Sequence, residues 1–198
     1  MKLLIFSDIH GSEKALERLV ATPADAYFAA GDLATFSRGL EKMGPILKQA
    51  KAPVYVMPGN HESESQIETF CQQYGFEFFH NRVIQMGGRY IAGLGYSNIT
   101  PFNTPGEYTE PEFAERLRPW EKLKPLVLIC HCPPLETPLD RAGPGRHFGS
   151  PTIARFIDDR QPQWFFCGHI HEAEGVETTL GGTRAVNVGK RGYLLELT

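Results

Sequence analysis

Two patterns of hydrophobic residues alternate along the first 75 residues, one typical of β-strands and the other of α-helices. Short apolar runs that end in polar or turn-forming residues predict buried β-strands, at Lys2–Phe6, Ala26–Ala30 and Val54–Met57. Apolar residues at helical spacing predict helices that begin at Ser12 and span Arg38–Ala50 and Glu64–Tyr74. Because proline has no backbone N–H, we expect the second helix to be interrupted or kinked at Gly44 and Pro45. Strand–helix–strand units of this length predict a parallel sheet with right-handed crossovers.

The pattern changes after Gly75. Apolar runs on both sides of Gly87 and Gly88 predict a β-hairpin. Its strands are Val83–Gln85 and Tyr90–Leu94, and further strands are predicted at Leu126–Cys130, Trp164–Cys167, Gly175–Leu180, Thr183–Val188 and Tyr193–Leu197. Helices are predicted around Pro111–Leu117 and, after the start signal Ser150-Pro151, at Thr152–Asp159. Most of residues 96–119 and all of 133–149 are predicted as loops.

Composition and charge narrow the class of protein. The 198 residues are 41% hydrophobic and 22% charged, which excludes a disordered chain or a coiled coil and predicts one domain over residues 1–198. The net charge of −3 disfavours a broad nucleic-acid or membrane surface. No apolar run approaches the ~20 residues of a membrane span, and we interpret the apolar N-terminus as a strand, not a signal peptide. The spacing of the four cysteines suggests no disulfides and predicts a cytoplasmic protein.

Residues able to do chemistry follow the predicted strands at their C-terminal ends, where α/β proteins bind ligands. They are Asp8, His10, Asp32, Asn60, His61, Glu62, His131, His169 and His171, and they include five of the seven histidines. Residues i and i+2 of an extended strand point to the same side, so the pair Asp8 and His10 is expected to reach one centre, and so is the pair His169 and His171. Each element alone has an ordinary explanation as a turn, a cap or a core histidine. Together they predict a metal site, because imidazole and carboxylate suit Zn, Mn and Fe.

The order of these elements carries a family resemblance. Asp-x-His, Gly-Asp, Gly-Asn-His-Glu, a lone His and Gly-His-x-His follow one another from residue 8 to residue 171. In these elements the sequence resembles the calcineurin-like metallophosphoesterase superfamily, and within it the Icc-type phosphodiesterase branch. The resemblance implies a four-layer α/β/β/α sandwich, in which two mixed β-sheets are flanked by helices. It also implies two divalent metal ions, with Mn, Fe and Zn as the candidates.

The resemblance assigns a role to each motif residue. One ion would bind Asp8, His10, Asp32 and His171, and the second would bind Asp32, Asn60, His131 and His169. A hydroxide that bridges the two ions would attack phosphorus. His61 would face the substrate, beside Asn60, as general acid or phosphate ligand. Protein phosphatases of the superfamily carry an aspartate three residues after the bridging one, which orients this histidine; here that residue is Thr35, so the orientation of His61 is left open.

The predicted function is hydrolysis of a small phosphodiester or phosphomonoester, with nucleotides among the candidate substrates. A nuclease of the same superfamily and a catalytically weak metal-binding scaffold or partner-binding module are the alternatives. No oligomeric state is predicted.

The loop over residues 133–149 adds a further hypothesis. It leaves the predicted ligand His131 and carries Arg141, Arg146 and His147. Long loops in compact domains often bind ligands. We therefore expect His147 to face the cleft and contact the scissile phosphate or the leaving group, the alternative being a solvated loop tip.

Overall fold

A computed structural model describes residues 1–197, and within them the chain forms thirteen strands and five α-helices. The strands are β1 (Lys2–Phe6), β2 (Ala26–Ala30), β3 (Val54–Met57), β4 (Glu77–Phe78), β5 (Arg82–Met86), β6 (Arg89–Leu94), β7 (Ser97–Asn98), β8 (Glu107–Tyr108), β9 (Leu126–Cys130), β10 (Trp164–Cys167), β11 (Glu177–Leu180), β12 (Thr183–Asn187) and β13 (Tyr193–Glu196). The helices are α1 (Glu13–Val20), α2 (Leu40–Leu47), α3 (Glu64–Tyr74), α4 (Glu110–Leu117) and α5 (Pro151–Arg160).

The strands form two large mixed sheets. The first has the order β13-β1-β2-β3-β4, in which only β13 is antiparallel to its neighbour. The second has the order β11-β12-β10-β9-β6-β5, in which the two edge strands are antiparallel to theirs. The short strands β7 and β8 pair with each other and were not predicted from the sequence.

Alternation along the strands shows how the layers stack. Leu3 and Ile5 of β1 pack in the same cluster as Val127 and Ile129 of β9, so this core lies between the two sheets. Their neighbours in β1 point the other way, into a core with α1, α2 and α3. Those of β9 point into a core with α4 and α5. Helices therefore cover both outer faces, and the expected four-layer α/β/β/α sandwich is confirmed.

Helix α2 continues through Pro45, so the expected interruption is wrong. Proline cannot donate a hydrogen bond to the carbonyl four residues earlier, which belongs to Glu41. The hydroxyl of Tyr74 donates to that carbonyl instead, over 3.0 Å. Gly44 allows this approach, because a Cβ atom there would collide with the Tyr74 ring. A contact from α3 thus replaces the hydrogen bond that proline removes.

The other helices begin near the predicted residues. Ser63 and Gln66 form a capping box at the start of α3, and Ser150 Oγ accepts a hydrogen bond of 3.2 Å from the N–H of Ile153 in α5. Ser12 precedes α1 but its side chain caps no N–H group among the described residues. None of the helices in residues 1–197 combines the length and apolar character needed to cross a membrane.

Candidate metal centre

The first group of candidate ligands lies beyond the end of β1. Asp8 is buried, with 3% exposure. Its Oδ1 atom lies 3.6 Å from Nε2 of His171 and 4.0 Å from Nε2 of His10. The two Nε2 atoms are 3.0 Å apart. One carboxylate and two imidazoles thus present ligand atoms close enough to hold one cation.

Asp32, which follows β2, lies between this group and a second one. Its Oδ2 atom is 3.7 Å from Nε2 of His10 and 3.4 Å from Nε2 of His131. Its Oδ1 atom accepts a hydrogen bond of 2.9 Å from the backbone N–H of His61. A single carboxylate oxygen therefore faces both groups of ligands.

The second group joins the end of β3 to the ends of β9 and β10. Oδ1 of Asn60 lies 3.2 Å from Nε2 of His131 and 3.0 Å from Nδ1 of His169. The amide of Asn60 donates to Oγ1 of Thr104, which turns its carbonyl oxygen toward the two histidines. Nδ1 of His131 lies 2.9 Å from the carbonyl oxygen of Ala30 and must carry a proton to donate there. The other nitrogen of His131, Nε2, consequently faces the site.

Charges within the site shift the pKa values of its members. Burial alone would raise the pKa of Asp32, but the charge and hydrogen bond of His131, together with the charges of His10 and His61, lower it. Burial alone would lower the pKa of His131, but the carboxylates of Asp32 and Asp8 raise it to about 9. Burial and the charge of His131 lower the pKa of His169 to about 4. A proton on His131 Nε2 therefore takes the place that a cation would fill, and His169 offers a neutral nitrogen.

The donor set fits divalent cations. His10 and His171 present nitrogen to nitrogen, and two neutral imidazoles cannot satisfy each other when both present a lone pair. Asp32 and Asn60 add oxygen atoms that only accept hydrogen bonds. A mixture of imidazole, carboxylate and amide ligands suits Zn, Mn or Fe.

Two glycines leave space for the carboxylates. A Cβ atom at Gly59 would collide with the carboxylate of Asp32, and one at Gly168 would collide with the carboxylate of Asp8. Neither glycine has a positive φ angle, so the close approach and not the backbone conformation requires glycine here. The site is therefore shaped by backbone that touches the ligands directly.

Four candidate ligands, Asp8, His10, Asp32 and His169, have positive φ angles of 48° to 68°. Such residues cost ~1–3 kcal/mol each and persist where the surroundings impose them. The i, i+2 alternation of an extended strand was expected to bring such residues to one centre. That explanation is wrong, because these residues lie beyond the strand ends. It also fails for the pair His169 and His171, because the first faces Asn60 and the second faces Asp8.

Buried residues outside the assigned ligand set hold these turns. Glu62 accepts hydrogen bonds of 2.9–3.0 Å from the backbone N–H groups of Asp32, Ala34 and Gly59. Burial and the charge of Asp32 raise the pKa of Glu62 to about 8. Its place in the Gly-Asn-His-Glu motif was the signal that could have revealed this role.

Asn187 does the same for the turn that carries His169 and His171. Its amide donates to the backbone carbonyls of Gly168 and Ile170 over 3.2 and 3.1 Å, and to that of Leu139 over 3.1 Å. No local motif surrounds Asn187, so the sequence contains no signal for this role.

His61 lies beside the ligand atoms but its role stays a prediction. One of its ring nitrogens comes within 4.8 Å of ligand atoms of His10 and Asp32. Thr35 lies at the position where related phosphatases carry an aspartate. Its Oγ1 atom lies 3.0 Å from Nδ1 of His10.

His147 lies in an ordered loop. Its Nδ1 atom is 2.7 Å from Oδ1 of Asp140, a fully buried residue that also accepts hydrogen bonds from the backbone N–H groups of Thr137 and Gly149. His147 lines a cavity of about 470 Å³ together with Arg141 and Glu172, the residue after His171. The cavity therefore reaches the turn that carries His171, but no candidate ligand is among the residues that line it. Contact of His147 with a phosphate stays a prediction.

The sequence is similar to a known protein family. The sequence profile of the calcineurin-like phosphoesterases matches residues 1–173. The chain belongs to this family. Its relatives include the uncharacterized protein MJ1162 of Methanocaldococcus jannaschii, which is 31% identical over 98% of this chain and 91% of its own length.

Solved structures share the fold of this protein. The phosphopantetheinyl hydrolase PptH of Mycobacterium tuberculosis has a TM-score of 0.74 and 19% identity over 95% of this chain and 88% of its own. A dimetal phosphatase of Danio rerio has a TM-score of 0.63 and 12% identity, over 94% and 86% of the two chains. At these identities the likeness shows the common fold.

Proposed function

We propose that this protein hydrolyses a small phosphate ester at two divalent cations bound at the strand ends. The observation that carries the proposal is the position of Asp32 Oδ2, which lies between His10 and His131 at 3.7 and 3.4 Å. A shared carboxylate between two groups of nitrogen ligands is the feature that a pair of cations requires.

The two cation sites follow from these two groups. The first would use Asp8, His10, Asp32 and His171. The second would use Asp32, Asn60, His131 and His169. When bound, two such cations lower the pKa of a water molecule and neutralise charge that develops on a phosphate.

The remaining polar residues would act on the substrate. Asn60, whose Oδ1 atom faces His131 and His169, would contact a phosphate oxygen as well as a cation. His61 would donate a proton to the leaving oxygen. His147, which lines one cavity with Arg141 and Glu172, would bind the phosphate or the leaving group. The Asp140 carboxylate fixes the orientation of the His147 ring for this task.

The substrate class and the metals are the finer parts of the proposal. We infer a phosphodiester as the preferred substrate, from the resemblance to the Icc-type branch. The names of PptH and of the dimetal phosphatase describe hydrolysis of phosphate esters by those two proteins, which supports an ester substrate here. Mn, Fe and Zn remain the candidate metals. The free, buried state of all four cysteines agrees with a cytoplasmic location.

Chelation and a diester substrate test the proposal together. Protein stripped of metal should not release nitrophenol from bis(4-nitrophenyl) phosphate, and Mn²⁺ should restore the rate better than Mg²⁺, which prefers oxygen ligands. Parallel assays with 4-nitrophenyl phosphate, single-stranded DNA and duplex DNA separate a phosphodiesterase from a phosphatase or a nuclease.

A matched pair of variants makes the test specific. Asp32→Asn should abolish the Mn²⁺-dependent rate. Asp25→Asn should not change it, because Asp25 lies at the protein surface and accepts its hydrogen bond from the backbone N–H of Lys2. Full activity in the metal-free protein, or no hydrolysis of any ester in the presence of Mn²⁺, would overturn the proposal.

A further inference from the structure

The side chain of His61 is held by aromatic rings. Its Nδ1 atom is buried and has no hydrogen-bond partner among the described residues. Its ring lies between two others, with centroids 4.7 Å from that of Phe36 and 5.2 Å from that of His10. Both contacts are edge-to-face, with interplanar angles of 82°. This geometry is favourable for aromatic pairs and restricts the tilt of the central ring.

The position of Phe36 does not follow from burial in a core. The residue is 44% exposed and belongs to none of the buried clusters. Its backbone is left-handed, with φ 49° and ψ 40°, and Ser37 also has a positive φ of 56°. Two consecutive residues in this conformation are unfavourable for L-amino acids, and strain of this kind is concentrated at functional sites.

Hydrogen bonds hold this strained turn against His61. The hydroxyl of Ser37 donates to Oε1 of Gln66 over 2.8 Å and lies 3.4 Å from the backbone carbonyl of His61. Gln66 is fixed in turn by the N-terminal cap of α3. The turn that places Phe36 is therefore attached to the same segment as His61, which brings the two rings into contact.

We propose that Phe36 is a positioning residue that orients His61 for proton donation, since no carboxylate among the described residues accepts a hydrogen bond from Nδ1 of His61. This inference rests on the proposed phosphoesterase function. In the step it serves, the oxygen of water forms a bond to phosphorus while the bond from phosphorus to the leaving oxygen breaks. The proton on Nε2 of His61 passes to that leaving oxygen, one proton of the water goes to solvent, and His61 takes up a new proton from solvent.

The dependence on the leaving group tests this role. An alkoxide needs a proton as it departs, whereas a nitrophenolate departs without one. Phe36→Ala should therefore lower kcat about tenfold or more for an alkyl phosphodiester but less than about threefold for the nitrophenyl diester, with bound metal unchanged. Phe36→Tyr keeps the ring and should restore the wild-type ratio of the two rates.

The matched control is Leu194→Ala. Leu194 is similarly exposed, at 37%, but lies in β13 away from the candidate ligands. It should leave both rates as in the wild type. Equal loss of both rates in Phe36→Ala, or no loss of either, would overturn the inference.

A spectroscopic measurement separates this inference from the proposed function. In protein labelled at histidine Cε1, Phe36→Ala should shift the carbon and proton signals of His61, assigned with His61→Gln. The signals of His80, which lies in another cluster, should stay in place. A shift at His61 in a protein that hydrolyses no ester would refute the function and keep the packing. An unchanged His61 signal would refute the packing whatever the activity.

Discussion

Two regions of this molecule bury histidine in opposite surroundings. His80, between β4 and β5, is 2% exposed and has both ring nitrogens paired by the protein. Its Nδ1 atom accepts a hydrogen bond of 2.9 Å from the N–H of Gly95, and Nε2 lies 2.9 Å from the hydroxyl of Tyr108. The rings of Tyr96 and Tyr108 pack beside it. This histidine needs no further partner.

At the strand ends, the ring nitrogens face one another and the oxygen atoms of carboxylates and an amide. The Nε2 atoms of His10 and His171 face each other, and that of His131 faces oxygen atoms that only accept hydrogen bonds. The difference is therefore in the neighbours, which at the strand ends are atoms of the kind that bind metal ions. Imidazole nitrogens gathered around a shared carboxylate and an amide oxygen indicate a cation that the protein itself does not supply.

Among the variants considered, removal of the shared carboxylate of Asp32 should have the largest effect on metal binding and activity. Asp32→Ala takes one ligand from both proposed cations, whereas Asp8→Ala and His169→Ala each take one ligand from a single cation. We expect Asp32→Ala to bind the least metal per chain and to lose more than ~100-fold in activity. Elemental analysis of the three variants measures this. Two ions retained by Asp32→Ala would show that Asp32 is not shared.

The variant His61→Ala should show whether His61 binds a metal ion or donates a proton. We expect both ions to remain bound while kcat for an alkyl phosphodiester falls by ~10²–10⁴, because a general acid is lost. Since a ring nitrogen of His61 lies within 4.8 Å of ligand atoms of His10 and Asp32, metal content is the deciding measurement. Loss of one ion from this variant would make His61 a ligand.

The buried His80 should make the free energy of unfolding depend on pH. Burial lowers the pKa of His80 to about 3 in the folded protein, against about 6.5 in the unfolded chain. The unfolded state therefore takes up the proton first, and this contribution to stability decreases as the pH falls below 6.5. At pH 5 the loss is about 2 kcal/mol.

His80→Gln is the matched variant for that effect. Its amide can accept from Gly95 and donate to Tyr108, and it does not titrate. In urea unfolding of metal-free protein at pH 7 and pH 5, the variant should lose about 2 kcal/mol less than the wild type. Equal losses in both proteins would mean that His80 does not control this part of the acid response.

The smallest expected effect is at His147, which has features of both regions. Its Nδ1 atom is paired with Asp140, while the ring lines the cavity beside the site. His147→Ala should keep the metal content and melting temperature and lower kcat/KM about tenfold, equal to ~1.4 kcal/mol of transition-state stabilisation. An unchanged kcat/KM on each ester that the wild type hydrolyses would place His147 outside the substrate site.

Local sequence patterns were sufficient to predict the strands that carry the site and the family to which the chain belongs. β1, β2, β3, β9 and β10 have the predicted bounds, because short apolar runs between polar residues allow few alternatives. The candidate ligands were also readable, since each follows directly on its strand.

The tertiary structure decided how those residues are oriented and held. The hydroxyl of Thr35 contacts His10, the ring of Phe36 packs on His61, and Tyr74 replaces the hydrogen bond that Pro45 removes. All three of these contacts join residues more than twenty positions apart, and the second also depends on a left-handed turn that local propensity disfavours. Local patterns record which residues are buried and where strands end. They do not record which side chains come into contact once the two sheets and their turns have packed. Those tertiary contacts orient the residues of the site.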